Sequence, residues 1–83
     1  MISIGILIME KSKFNKKIGQ YLREKRLEKK WTQAELGSKV GIDFQNISRI
    51  ERGTISPTLY WFNNIAEALE INFGDFINDA LKE

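Results

Sequence analysis

The sequence predicts a small all-α fold of five helices. Apolar residues recur every three or four positions in five separate segments, which is the spacing of one face of a helix. A helix-capping residue or a glycine bounds most of these segments. The 83 residues allow one domain with a modest core. We expect this domain to span residues 13–83, preceded by an N-terminal arm, residues 1–12.

The first predicted helix runs from Phe14 to about Lys29. Its apolar side chains recur at helical spacing, and they are Phe14, Ile18, Tyr21 and Leu22. The second helix, Gln33 to Val40, has the best-marked start in the chain. Thr32 and Glu35 have the spacing of a capping box, and Gly41 ends the helix because glycine readily adopts the left-handed conformation.

The third predicted helix runs from Phe44 to Arg52, with Asp43 as its N-cap and Gly53 after its end. Its inward pair is Ile47 and Ile50. The fourth helix, Leu59 to Leu69, is capped by Thr58 or Ser56. The final helix follows Asn72 as its cap, and its apolar stripe consists of Phe73, Phe76, Ile77 and Leu81.

The N-terminal arm has a different pattern, in which every second residue is isoleucine: Ile2, Ile4, Ile6 and Ile8. This alternation is typical of a strand. A lone strand has no partner in a helical domain, so three alternatives stay open. The arm is disordered, or it pairs with a second copy of the chain, or Met9 is the true initiator.

The composition excludes several classes of site. With no cysteine, the chain has no disulfide, thiol nucleophile or sulfur-ligated zinc. With no histidine, it lacks the usual base near pH 7 and the usual transition-metal ligand. We therefore expect no enzymatic activity, metal, cofactor or small-molecule ligand. The longest apolar run is far shorter than the ~20 residues of a spanning helix, and a cysteine-free chain fits the reducing cytoplasm, where we expect it.

The net charge of +2 conceals a gradient along the chain. Residues 11–30 contain nine basic and two acidic residues, a net charge of +7. Residues 59–83 contain one basic and five acidic residues, a net charge of −4. The first region is suited to a polyanion, although a solvated lysine-rich helix face would look the same.

The second and third predicted helices together have the pattern of a helix-turn-helix. Gly37 is small where two crossing helices approach closely, and Gly41 lies at the turn. Further pattern residues are Ile18-Gly19, Leu22-Arg23, Arg26, Thr32-Gln33, Leu36, Gly41-Ile42, Ile47-Ser48-Arg49-Ile50-Glu51-Arg52-Gly53, Pro57-Thr58-Leu59, Ile65-Ala66, Ala68-Leu69 and Phe76. Over residues 14–77 the chain therefore resembles the phage-repressor/Cro-type (Xre) helix-turn-helix family. It departs from that pattern at Gly37, where alanine is usual, and at Lys30 and Glu70, where glycine often ends a helix.

The resemblance implies a five-helix lambda-repressor-like domain that binds double-stranded DNA. It also implies a transcriptional regulator that acts as a homodimer on a two-fold symmetric operator. An alternative is an antitoxin-type or other protein-interaction module on the same fold. That alternative requires an exposed apolar surface beyond what a dimer needs, which Tyr60 and Trp61, the final helix or the isoleucine-rich N-terminus would supply.

Base contacts are expected near the start of the third helix. Gln45 and Asn46 can pair with adenine and Arg49 with guanine, at roughly 1–3 kcal/mol of discrimination for each contact. Phe44 either touches a thymine methyl group or packs beside the core. Gln33, at the positive end of the second helix, is suited to a phosphate, and the resemblance implies the same role.

Further phosphate contacts are expected from Thr32, Ser48, Arg52, Thr54, Ser56, Lys17 and Arg23. The alternative for Thr54 and Ser56 is that they only cap and turn the chain. The alternative for Lys17 and Arg23 is that they are solvated surface charges. The resemblance also implies that Arg26 and Glu51 form an internal ion pair that holds the third helix in place. We expect the dimer interface at Trp61, Phe73, Phe76, Ile77 and Leu81.

Overall fold

The computed structural model describes residues 9–82, which form five helices joined by short connections. The helices are α1 (Lys11–Glu28), α2 (Gln33–Val40), α3 (Phe44–Glu51), α4 (Leu59–Ala68) and α5 (Phe73–Leu81). The predicted all-α fold is confirmed, and residues 9–82 contain no strand. None of these five helices is long and apolar enough to cross a membrane. The alternatives for the alternating isoleucines concern residues 1–8, which lie outside the described residues.

Helices α2 to α5 each begin at a side chain that accepts a hydrogen bond from the first turn. Thr32 and Glu35 form the predicted capping box. Thr32 Oγ1 accepts from the Glu35 N–H at 3.0 Å, and Glu35 Oε1 accepts from the Thr32 N–H at 2.7 Å. Asp43 and Asn72 cap α3 and α5 as predicted. Of the two residues considered for α4, Thr58 is the cap, because its oxygen accepts a first-turn N–H at 3.0 Å.

Helix α1 starts differently, at Lys11 rather than at the predicted Phe14. Its N-cap, Glu10, makes no side-chain hydrogen bond to the first turn, and that turn has no acidic side chain. The N–H groups of the first turn are therefore not satisfied by a capping side chain. The position of α1 depends instead on its buried side, which consists of Asn15, Ile18, Gly19, Leu22 and Arg26.

Two helix ends place a residue other than glycine in the left-handed region. Lys30 after α1 has φ +61°, and Glu70 after α4 has φ +59°. Each follows the hydrogen-bond pattern of a Schellman motif, in which glycine is the usual residue. The ends of α2 and α3 carry glycine there, with φ +73° at Gly41 and +76° at Gly53. Lys30 and Glu70 therefore carry backbone strain of roughly 1–2 kcal/mol each.

The core lies where the five helices of residues 9–82 meet. Its largest fully buried side chains are Phe76, Ile18, Leu22, Leu36, Ile47, Ile50 and Ile65. The Phe76 ring lies 4.5 Å from the Phe62 ring and 4.8 Å from the Tyr21 ring, both edge-to-face. The prediction that Phe76 lies in a dimer interface is wrong, because its side chain is 0% exposed within one chain.

Two glycines let the backbones around α3 approach closely. A Cβ atom at Gly37 would overlap the carbonyl oxygen of Ile42, so alanine does not fit where α2 meets the turn. A Cβ atom at Gly19 would overlap the carbonyl oxygens of Ile50 and Glu51. Gly19 therefore allows α1 to pack directly against the C-terminal end of α3.

A buried ion pair joins α1 to α3 at the same contact. Arg26 Nε donates to Glu51 Oε2 at 2.6 Å, and Arg26 Nη2 donates to Glu51 Oε1 at 3.0 Å. The two side chains are only 8% and 2% exposed. Arg26 Nη1 donates to the Trp31 carbonyl oxygen at 2.7 Å, which ties the α1–α2 connection to the pair.

Replacing Lys30 with glycine is expected to raise the free energy of unfolding by about 1 kcal/mol, because glycine adopts a positive φ without strain. Urea denaturation of Lys30→Gly measures this change. Lys30→Ala is the matched control, since it removes the same side chain but keeps the Cβ atom that causes the strain. Equal stabilities of the glycine and alanine variants would contradict the assignment of strain to this position.

Replacing Glu51 with glutamine is expected to lower the free energy of unfolding by about 3–5 kcal/mol, because Arg26 is left buried without its counter-charge. Thermal and urea denaturation measure the loss. Glu67→Gln is the control at an exposed carboxylate on α4, where we expect a change within about 0.5 kcal/mol. A loss below about 1 kcal/mol for Glu51→Gln would show that the pair does not hold α3.

Candidate nucleic-acid interface

Helices α2 and α3 form a helix-turn-helix around residues 41–43. Gly41 takes the left-handed conformation, and the Ile42 N–H donates to the Gly37 carbonyl oxygen at 3.0 Å. One side of α3 faces the rest of the chain, with Ile47, Ile50 and Glu51 buried. The opposite side of α3 is therefore free to enter a groove of DNA.

The exposed side of α3 brings together the four residues expected to contact bases. Gln45 and Arg49 are exposed, and Asn46 is half-buried beside them. Arg49 Nη1 donates to Asn46 Oδ1 at 3.0 Å, so Asn46 orients the guanidinium group. Phe44 is 54% exposed, which favours a ring at the surface over a core-flanking role.

Gln33 and Thr32 lie at the start of α2, where first-turn N–H groups favour an anion. Gln33 Nε2 donates to Glu51 Oε1 at 3.1 Å, so the buried ion pair also fixes this side chain. Thr32 uses its oxygen as the acceptor of the helix cap, and its hydroxyl hydrogen stays available for a phosphate. Both residues thus fit a phosphate contact as well as their structural bonds.

Ser48 and Arg52 lie toward the C-terminal end of α3. Ser48 is half-buried and Arg52 is exposed at the C-cap position. Arg52 Nε donates to the Ser48 carbonyl oxygen at 3.3 Å, which folds the guanidinium group back along the helix. The other guanidinium N–H groups remain geometrically able to meet a phosphate.

Thr54 and Ser56 follow α3 in the loop before α4, and both hydroxyl groups donate within the chain. Thr54 Oγ1 donates to the Arg49 carbonyl oxygen at 3.1 Å. Ser56 Oγ donates to Oδ1 of the buried Asn15 at 2.5 Å. These bonds favour the alternative that the two residues cap and turn the chain, since each hydroxyl has only one hydrogen to donate.

The basic residues of α1 lie on both sides of its buried stripe. Lys17 is half-buried and Arg23 is exposed. The stem of Lys16 packs at Gly53, so the N-terminal half of α1 lies beside the end of α3. Part of the +7 region therefore lies beside the C-terminal end of α3.

The residues expected in a dimer interface lie on α4 and α5. Phe73, Ile77 and Leu81 recur at intervals of four on α5, and Trp61 lies on α4. Phe73 is 37% exposed, and its ring packs edge-to-face on the Phe62 ring at 5.0 Å. Trp61, Ile77 and Leu81 are half-buried. None of these four residues is fully buried, in contrast to Phe76.

Sequence reasoning assigned no role to two residues that position α3. Asn15 holds the loop after α3 through Ser56, and Gly19 permits the close contact between α1 and α3. The signal for Asn15 was its place in the stripe that continues through Ile18, Leu22 and Arg26 at helical spacing. A polar residue on a buried stripe indicates a specific hydrogen-bond partner.

Comparison with known proteins identifies relatives of the same kind. A helix-turn-helix transcriptional regulator of Methanothermobacter thermautotrophicus is 44% identical over 48 residues, which are 58% of this chain and 70% of that protein. One of Sinorhizobium fredii is 41% identical over 54 residues, 65% of this chain. The chain spans only 28% of the length of that S. fredii protein.

The fold also matches that of a solved regulator. The restriction-modification controller protein C.AhdI from Aeromonas hydrophila superimposes with a TM-score of 0.72 at 32% identity, over 75% of this chain and 94% of that one. The sequence model of the helix-turn-helix family matches residues 22–76. The chain belongs to the helix-turn-helix family of phage-repressor/Cro type, as its resemblance predicted.

Proposed function

We propose that this chain is a sequence-specific DNA-binding transcriptional regulator that binds a two-fold symmetric operator as a homodimer. One observation carries the proposal. The exposed side of α3 presents Gln45 and the hydrogen-bonded pair Asn46 and Arg49, while the buried side is fixed by the ion pair with Arg26. A helix that is rigid on one side and polar on the other is suited to reading the major groove.

The side chains on this face suit different bases. Arg49 is suited to the two acceptors of guanine, and Gln45 to the donor and acceptor of adenine. The exposed ring of Phe44 is suited to a thymine methyl group. Asn46 keeps its amide N–H groups for a base while its Oδ1 atom orients Arg49.

The phosphate contacts are proposed on both sides of this face. Gln33 and Thr32 approach the backbone at the start of α2, and Arg52 and Ser48 at the end of α3. Lys17 and Arg23 add attraction that does not depend on sequence. Thr54 and Ser56 contribute through the shape of their loop, because their hydroxyl hydrogens are already donated.

The relatives support a regulatory role. The M. thermautotrophicus and S. fredii proteins are named as transcriptional regulators, and C.AhdI is named as a restriction-modification controller. The exposure of Leu59 and Tyr60, 77% and 74%, is the observation that favours a protein-interaction module instead. The charge and the polar face of α3 favour DNA, because a protein partner does not require them.

Replacing Arg49 with alanine is expected to reduce the preference for operator over random DNA by about 1–3 kcal/mol, roughly 5- to 150-fold in affinity ratio. The operator is first selected from a random-sequence DNA library with the wild-type protein. Fluorescence anisotropy then gives the affinity of wild type and variant for the selected and the random duplex at several salt concentrations.

Lys17→Ala is the control for this experiment. It should weaken binding to both duplexes alike and lower the salt dependence of binding by about one charge. If Arg49→Ala weakens both duplexes equally, Arg49 does not read a base. If selection with the wild-type protein enriches no sequence, the proposal of sequence-specific binding is wrong.

The homodimer is proposed on the strip of Trp61, Phe73, Ile77 and Leu81. A dimer doubles the base contacts and places two copies of α3 about 34 Å apart, one turn of DNA. Sedimentation equilibrium of Leu81→Glu is expected to give a monomer with at least a tenfold weaker operator affinity. Leu27→Glu is the control, because Leu27 is exposed on α1. A wild-type protein that stays monomeric both free and on operator DNA would contradict the dimer.

A further inference from the structure

Two neighbours hold Arg49, although it is exposed on α3. Its carbonyl oxygen accepts from the Thr54 N–H at 3.0 Å and from Thr54 Oγ1 at 3.1 Å. At the other end of the residue, Arg49 Nη1 donates to Asn46 Oδ1 at 3.0 Å. Thr54 therefore fixes the backbone of Arg49, and Asn46 restrains the side-chain torsions that lie between this backbone and the charged group.

Asn46 is itself held in the first turn of α3. Its N–H donates to Oδ1 of Asp43, the N-cap residue, at 2.9 Å. Asn46 is half-buried, whereas Gln45 and Arg49 are exposed. Burial removes rotamer freedom from a side chain, so the Asn46 amide is a more rigid partner for Arg49 than an exposed side chain would be.

The bond to Asn46 directs the guanidinium group toward the N-terminal end of α3, because Asn46 lies three residues earlier on the helix. The N-terminal residues of a recognition helix are the ones that contact base edges. The partner of Arg52 is different, since Arg52 Nε donates to the Ser48 carbonyl oxygen at 3.3 Å. A backbone carbonyl is present whatever the side chain, so a substitution can remove the restraint on Arg49 but not the one on Arg52.

An unrestrained arginine discriminates poorly between the bases and the backbone of DNA. Its guanidinium group carries a full charge, and its N–H donors fit phosphate oxygens as well as the guanine edge. Immobilising this long side chain on DNA also has a cost in conformational entropy. A hydrogen bond that already restrains the group in the free protein lowers that cost for the restrained orientation only.

We propose that Asn46 is a positioning residue that sets the guanine preference of Arg49 by restraining its guanidinium group. This role is in addition to the contact proposed for the amide N–H groups of Asn46. The proposal rests on the DNA-binding function proposed above, and it makes guanine specificity a property of the pair. Without Asn46, Arg49 keeps its charge and its place on α3 but is free to turn toward phosphates.

Affinities of the full chain for duplexes that differ at one base pair test this role. After selection of an operator with the wild-type protein, the Arg49 position is the guanine whose replacement by adenine weakens binding of the wild type but not of Arg49→Ala. Asn46→Ala should lower the preference for guanine at that position by about 3- to 10-fold. Its affinity for random DNA should stay within about twofold of wild type, because no charge is lost.

Asn46→Asp separates the positioning role from a direct base contact. The carboxylate still accepts from Arg49, but it has no N–H group to offer a base. The guanine preference at the Arg49 position should therefore return to within about twofold of wild type, although the added negative charge weakens binding to every duplex. An aspartate variant that discriminates no better than Asn46→Ala would overturn the proposal.

Asn63→Ala is the matched control, because Asn63 is an exposed asparagine on α4 that donates to Glu67, four residues later on its own helix. This change should leave the guanine preference as it is in the wild type. If Asn46→Ala keeps the full preference at the Arg49 position and loses it at another base pair, Asn46 reads a base directly. The positioning role is then wrong, while sequence-specific binding stands.

NMR relaxation of the Arg49 Nε–H group measures the restraint without DNA. Asn46→Ala should make this group more mobile on the picosecond-to-nanosecond timescale, whereas Asn46→Asp should not. Equal relaxation in the wild type and Asn46→Ala would overturn this proposal alone. A wild-type protein that enriches no operator would overturn the proposed function and this proposal together, so the two failures are distinguishable.

Discussion

The orientation of α3 depends on the buried pair of Arg26 and Glu51. Removing two charges from water has a large free-energy cost, which only close and fully hydrogen-bonded geometry can offset. The structure meets this condition, since Arg26 makes two bonds to the carboxylate and a third to the Trp31 carbonyl oxygen. Gln33 donates to the same carboxylate. One buried acid thus fixes the start of α2, the end of α1 and the end of α3 in a single arrangement.

The ion pair has this role because the backbones around it are already close. At Gly19, the carbonyl oxygens of Ile50 and Glu51 lie where a Cβ atom would be in any other residue. At Gly37, the carbonyl oxygen of Ile42 lies in the corresponding position. Any larger residue would move α3 or its turn, and a shift of about 1 Å would disturb bidentate contacts with bases. Steric contact between the backbones therefore sets how closely α3 approaches α1. The ion pair of Arg26 and Glu51 sets how α3 is rotated about its own axis.

The local features of the fold could be predicted from the sequence, whereas contacts between distant residues could not. Thr32, Asp43 and Asn72 act within their own first turns, so their capping roles follow from spacing alone. The bond from Ser56 to Asn15 joins positions 41 apart in sequence, so the buried stripe of α1 marks Asn15 as needing a partner but does not identify Ser56. Phe76 shares a helical stripe with Phe73 and Ile77, and periodicity does not show which edge of a stripe turns inward.

The acidic residues of the C-terminal region offset part of the basic charge of α1. Glu70 accepts from Lys29 at 2.7 Å, and this hydrogen bond lowers the pKa of Glu70 below its ordinary value. Tyr21 donates to Asp79 at 3.3 Å on the same side of α1. The acids therefore offset basic charge along the C-terminal half of α1. The N-terminal half of α1 packs at Gly53 instead, so the basic residues of that half lie near the C-terminal end of the helix that we propose binds DNA.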